Sequence, residues 1–230
     1  MENNTVISIQ NLIKQFPVGR EFFTALKNIT LDLHKGEFTG LVGPSGSGKT
    51  TLLNCLSALD SPTKGTYRFG GEDVPRHDSE SMTKFRRDNI GYVFQFFNLL
   101  QDLTVLENVL LIQELAGGKD VARAKELLSM VGLSEEIDRF PGEISGGQQQ
   151  RVAIARSLSK RPRLLLGDEL TGNLDSETSA SVMESLISSC EQENITAVFV
   201  THDEKLTQYA TRVIRLDSGA IISDITTQEE

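Results

Sequence analysis

The chain has 230 residues, 38% of them hydrophobic and 24% charged, which suits a soluble globular protein able to bury a substantial core. Its net charge of −9 disfavours broad nucleic-acid binding, which normally needs a basic face, and leaves room only for a local basic patch. Cys55 and Cys190 are far apart, show no C-x-x-C spacing and sit among apolar residues, which fits buried thiols in a reducing compartment.

In chain order, Val6–Gln10 and Ile29–Leu33 alternate as strands, with a turn expected at Phe16-Pro17-Val18-Gly19. Phe38–Val42 is a short apolar strand and Thr51–Leu59 a helix. Between them lies Gly43-Pro44-Ser45-Gly46-Ser47-Gly48-Lys49-Thr50, which fits G-x-x-x-x-G-K-[ST] in the strand–loop–helix setting that this motif requires. Glycines let successive N–H groups point at one anion, and the helix start adds the positive end of its dipole. Lys49 would then reach β- and γ-phosphates, with the Thr50 hydroxyl on Mg²⁺ and Thr51 beside it. These residues predict a nucleotide site.

Tyr67–Phe69 and Asn89–Gln95 read as further strands. From Phe96 to about Ser159 the period becomes helical, with Leu103, Leu106, Val109 and Leu110 recurring at three- and four-residue intervals, and then Ala122, Ala124, Leu127 and Leu128. The expected organisation is therefore a single domain over 1–230, with 1–95 and 160–230 as the α/β core and 96–159 as a helical insert. Leu164-Leu165-Leu166 is a continuous apolar run suited to a central parallel strand, and it ends in Asp168-Glu169. Ser176–Cys190 reads as a helix, Ala197–Val200 as a buried strand ending at Thr201-His202, Val213–Leu216 as a late strand, and Thr226–Glu230 as a frayed acidic tail. Ligands gather at the carboxyl ends of parallel strands, so Lys49 and Asp168 are expected to meet on one nucleotide. Asp168 would serve the metal while Glu169, pointing the other way, polarises an attacking water.

Ile144-Ser145-Gly146-Gly147-Gln148-Gln149-Gln150-Arg151 resembles the signature motif of ATP-binding cassette (ABC) ATPases, with Ile144 in place of the usual Leu. Other elements of that family follow in order. Gln95 resembles the Q-loop glutamine, Asp168-Glu169 the Walker B acid and catalytic glutamate, Gly172-Asn173-Leu174-Asp175 the D-loop, and His202 the switch histidine. Phe16 stands where the family often carries an adenine-stacking Tyr. Leu170 replaces a usual Pro, and Gly167 a frequent Ala. The likeness spans roughly Val6 to Ser223, and its strings at 43–51, 58–65 and 170–175 look like the lipoprotein-release and macrolide-export branch.

The resemblance implies a P-loop fold with a mainly parallel sheet, an antiparallel β subdomain and the helical insert. It implies two copies closing on two ATP–Mg²⁺, with Ser145, Gly146, Gly147 and Gln148 of one copy capping the nucleotide of the other. Gln95 would touch the metal and, with His202, sense the γ-phosphate. Integral membrane permease subunits would be the partners, because no apolar run in the chain approaches the ~18 residues of a membrane span and Met1-Glu2-Asn3-Asn4 is no secretory leader. The expected location is cytoplasmic, on the inner face of the cell membrane, with Phe96-Phe97-Asn98-Leu99-Leu100 as the apolar docking stretch. A soluble ABC protein acting on nucleic acid or ribosomes, and a regulatory ABC module, are the competing readings. The acidic charge and the short insert speak against the first, and Glu169 with His202 against an inactive version of the second.

Overall fold

Two units, each with its own core, make up the computed structural model, which describes residues 4–227. One unit comprises the described residues of Met1–Arg86 and Thr196–Glu230, the other Arg87–Ile195. The last three residues of the expected tail, 228–230, lie outside the described residues.

In the first unit, β1 (Thr5–Val18) and β2 (Glu21–His34) form a long antiparallel hairpin in which Val18 pairs with Glu21. The turn is therefore Gly19–Arg20, with Gly19 at φ 63, and not the expected Phe16–Gly19. Pro17 does not end the strand, because β4 (Lys64–Phe69) accompanies β1 only as far as Ile13. Beyond that point β1 has one neighbour instead of two, a position that proline tolerates. β5 (Glu72–Asp73) completes the order β2-β1-β4-β5.

The same unit holds β3 (Phe38–Val42), buried at every residue and parallel to both β8 (Thr196–Val200) and β9 (Arg212–Asp217). β10 (Ala220–Thr226) is antiparallel to β9 and takes up the first residue of the expected tail. A strand covered on both faces carries continuous apolar residues, each burial contributing about 1.5–3 kcal/mol, and Phe38, Leu41 and Val42 supply them here. After β3 the chain enters α1 (Lys49–Leu56), which ends sooner than expected because Ala58 turns left-handed at φ 53. α2 (Ser79–Asn89) was not foreseen: no residue of it is fully buried, and its apolar side is only Met82 and Phe85, the latter edge-on to Phe69 with ring centroids 5.2 Å apart.

In the second unit, β6 (Ile90–Val93) runs parallel to β7 (Leu164–Asp168), with Val93 opposite Gly167. Helices α3 (Val105–Leu115), α4 (Val121–Met130) and α6 (Ser176–Glu193) pack on α5 (Gly146–Leu158), which is buried along Val152–Ala155 and at Leu158. Leu103 lies before α3, and the buried face of that helix instead includes Asn108. The Asn108 Nδ2 group donates to the carbonyls of Leu100, Leu103 and Thr104, so a buried amide ties down the preceding loop.

Candidate functional site

The loop of the first unit that joins β3 to α1 is shaped by its glycines. Gly43 has φ 146, and a Cβ there would stand 2.1 Å from the Leu216 carbonyl oxygen on β9. Gly48 has φ 105, with the Ala25 oxygen 2.9 Å from its Cβ position. From behind, the Gly219 N–H donates to the Ser47 oxygen at 2.9 Å, and the Lys27 N–H to Gly219 at 2.7 Å. The N-cap of α1 is Gly48, so no side chain caps the helix and no acid lies in its first turn. Its leading N–H groups and the positive dipole end are thus left for an external anion.

Lys49 is buried, and its Nζ donates to the oxygens of Gly43 (2.7 Å) and Pro44 (2.9 Å), holding the loop closed. Ser47 is buried with its Oγ lacking a hydrogen-bond partner, which leaves a donor and acceptor ready inside the loop. Pro44, Ser45, Gly46 and Thr50 are exposed, and Thr51 is half-buried. These residues fit a bound phosphate chain: donors line the loop, and a hydroxyl sits at its exit for a hard cation.

Phe16 and His202 also belong to this unit. Phe16 is half-buried, and the ammonium of Lys14 lies 4.8 Å from its ring centroid, itself held by Asp60 and, at 2.8 Å, by the Ser61 oxygen. His202 is exposed just past the end of β8, where the neighbouring Thr201 Oγ1 accepts from the Asp203 N–H at 3.0 Å.

In the second unit, β7 delivers Asp168, half-buried, at its carboxyl end. Burial pushes the Tyr92 hydroxyl well above its usual range, with the Asp168 carboxylate adding to the effect from the end of the paired strand. Glu169 follows at φ 47, a left-handed conformation that costs a non-glycine residue about 1–3 kcal/mol and often marks functional sites. Its carbonyl accepts from the Gly172 N–H at 3.1 Å, closing a tight turn. A Cβ at Gly172 would lie 3.2 Å from Gln95 Nε2 and 3.7 Å from Glu169 Oε2, so that amide and carboxylate converge on this glycine. Asn173 Nδ2 also donates to the Gln95 oxygen at 3.3 Å.

Leu170 is 4% exposed and covers Gly167, where a Cβ would come within 2.7–2.8 Å of three of its side-chain carbons. The two departures from the family pattern are thus one packed pair. The leucine fills the space that the missing methyl leaves, so the turn lacking proline is held by packing.

The signature segment begins α5. Ser145 Oγ accepts from the Gln148 N–H at 3.3 Å, while Gln148 Oε1 accepts from the Ser145 N–H at 2.9 Å. This capping box is completed by Gln148 Nε2 donating to Glu136 at 3.1 Å. Gly147 is required by close contact, since a Cβ there would meet Thr178 Cγ2 at 2.3 Å. A Cβ at Gly146 would lie 3.4 Å from Leu174 Cδ2 and 3.7 Å from Phe97 Cζ, so the signature segment runs beside the 172–175 turn and the residues after Gln95. Arg156 was missed in the sequence. From α5 it donates to the oxygens of Asn98 (2.5 Å) and Phe97 (2.8 Å), fastening the stretch that follows Gln95 to the signature helix. Its signal was an arginine within the apolar run Val152–Leu158.

The structure thus assembles Gly43–Thr51 in the first unit, and Gln95, Ser145–Gln148, Asp168 and Glu169 around shared contacts in the second. Residues 26–172 match the family model described as ABC transporter. The chain is similar to the lipoprotein-releasing system ATP-binding protein LolD of Geobacter metallireducens, at 46% identity over 96% of this chain and all of that protein. It is also similar to the macrolide export ATP-binding/permease protein MacB of Syntrophobacter fumaroxidans, at 44% identity over 94% of this chain but only 31% of that longer protein. Among solved structures, the dimeric post-hydrolysis state of the ATP-binding cassette MJ0796 with ADP and Pi superposes with a TM-score of 0.86, at 39% identity and covering 97% of this chain and all of that one.

Proposed function

The chain belongs to the ABC transporter family, in its LolD/MacB branch, and from that premise we propose that it is the ATP-hydrolysing, energy-coupling subunit of a membrane complex. On this reading two copies close on two nucleotides. Lys49 exchanges the Gly43 and Pro44 oxygens for β- and γ-phosphate oxygens, so binding replaces hydrogen bonds instead of creating them all anew. The N–H groups of the uncapped α1 take the remaining phosphate oxygens. Ser145 of the second copy trades its 3.3 Å bond to the Gln148 N–H for the γ-phosphate. Glu169 orients a water and accepts its proton, while Gln95 and His202 report whether the γ-phosphate is present.

Among the described residues no group of three or more His, Cys, Asp or Glu forms a ready metal site. Mg²⁺ would therefore rest on the Thr50 hydroxyl, Asp168 with Gln95, and the oxygens of the nucleotide itself. When bound it neutralises charge on the phosphates. Phe16 would lie against the adenine.

The observation that carries the coupling is the segment after Gln95. Phe96 is 69% exposed and Leu100 48%, an apolar surface pinned to the signature helix by Arg156. A partner docked there would feel movement of both Gln95 and α5. Among the described residues no helix is long and apolar enough to cross a membrane, so membrane work calls for a permease partner on the cytoplasmic face. The test is affinity purification of the tagged Glu169→Gln protein from membranes solubilised with ATP and Mg²⁺. Recovery of a multi-span membrane protein supports the coupling. Recovery of ribosomes or nucleic acid without one would overturn it.

A further inference from the structure

A cavity of about 430 Å³ lies in the second unit, where the end of α3, the start of α4 and the residues following α5 come together. Its lining carries Lys119, Arg123, Lys160 and Arg161 against a single acid, Asp120. Behind the lining, Glu126 and Glu193 pair with Arg123 and Glu114 lies 3.9 Å from Lys119, so the excess of cations is confined to the cavity wall itself. Asp120 is already committed to capping α4, where its Oδ1 accepts from the Arg123 N–H at 2.9 Å.

Two donors in this wall have no acceptor. Gln113 is 6% exposed; its Oε1 accepts from the Asp120 N–H at 2.9 Å, while its buried Nε2 has no hydrogen-bond partner. Arg123 is 7% exposed and gives its terminal nitrogens to Glu193 (3.0 and 2.5 Å) and Glu126 (2.9 Å), leaving its buried Nε unpartnered. Buried donors without a partner are uncommon in native structures, and two in one wall call for an acceptor. Ser159, also in the lining, spends its hydroxyl proton on the Arg156 oxygen at 2.7 Å. The cavity is therefore rich in donors and cations and poor in acceptors, and its volume falls in the range of small-molecule sites.

The geometry points to a second ligand site for a small soluble anion bearing phosphate groups, separate in sequence and in unit from the 43–51 loop. Lys119, Lys160 and Arg161 supply charge at its mouth, and Gln113 and Arg123 complete their hydrogen bonds on the phosphate oxygens.

The test is a titration of the isotopically labelled full chain with inorganic pyrophosphate, with the nucleotide loop first saturated by a non-hydrolysable ATP analogue. The expected result is a saturable shift of the Gln113 side-chain amide and Gly118 backbone signals, with a midpoint below about 1 mM. Arg161→Glu, a change at an exposed position, should weaken binding at least about tenfold, and Gln113→Leu should do the same. Absence of saturation by about 10 mM, or unchanged affinity in Arg161→Glu, overturns the site. A lipid source is separated by sedimentation with vesicles containing phosphatidylglycerol. Vesicle binding that Arg161→Glu abolishes, with no response to pyrophosphate, overturns the soluble anion in favour of a lipid headgroup.

Discussion

Two helices of this protein begin at glycine-rich segments, and they satisfy their first turns in opposite ways. α1 starts from Gly48 with no side-chain cap, and its loop turns on left-handed glycines pressed against backbone carbonyls. α5 starts from Ser145, and a reciprocal capping box with Gln148 already occupies its end. The first keeps its N–H groups for a ligand, whereas the second is stable alone and gives up only one long hydrogen bond to engage one. The two starts also differ in what holds them: Lys49 closes the 43–51 loop through the Gly43 and Pro44 oxygens, whereas the Ser145 start is closed by its own cap.

The sharpest way to break this contrast is through turnover. Lys49→Ala should lower the ATPase rate at least about 100-fold, as loss of a charge-stabilising donor does, with secondary structure unchanged by circular dichroism. A rate within a few-fold of the parent would remove Lys49 from the site. Next in size is Gly43→Ala, where the Cβ meets the Leu216 carbonyl at 2.1 Å and φ is unfavourable. A loss of about 3 kcal/mol is expected in urea unfolding.

Gly147→Ala should cost less, about 1–3 kcal/mol, because its obstacle is a methyl group. The Thr178 hydroxyl donates to Asp175 at 2.7 Å and sets the methyl in place. Thr178→Ser keeps that bond and should recover at least half of the loss; a double-mutant cycle without coupling would contradict the contact. Ser145→Ala, which removes the cap, should cost about 1 kcal/mol.

The smallest effect is electrostatic. Hydrogen bonds from the Thr178 N–H and hydroxyl, and from the Glu177 N–H, hold the exposed Asp175 carboxyl below its ordinary range. The folded value is the lower one, so this contribution is complete above the unfolded value and disappears as pH falls through the folded value. Asp175→Asn should therefore lower stability slightly at neutral pH and flatten its acid limb, with variant and parent converging as pH falls through the folded value.

Strands buried on both faces were legible because they need no periodicity: Phe38–Val42, Leu164–Leu166 and Ala197–Val200 announce themselves as apolar runs. The candidate site residues were legible as motifs, and the 43–51 string lies between β3 and the start of α1 as its strand–loop–helix pattern predicts. What escaped was set by partners distant in sequence. α2 has no fully buried residue, the β1–β2 turn was displaced by pairing beyond Pro17, and Asn108 does a core residue's work through hydrogen bonds. Arg156 shows its use only through its acceptors, the oxygens of Phe97 and Asn98, which lie far off in the sequence.

The Gly167–Leu170 pair bears on how such a sequence changes over time. Adding a methyl at 167 alone drives it into the leucine, and trimming the leucine alone opens a hole costing about 2–5 kcal/mol. Either first step toward the alanine-and-proline form common in the family passes through a less stable intermediate. The two positions form an evolutionary ratchet beside Glu169, so lineages carrying this pair are expected to keep both members or exchange both.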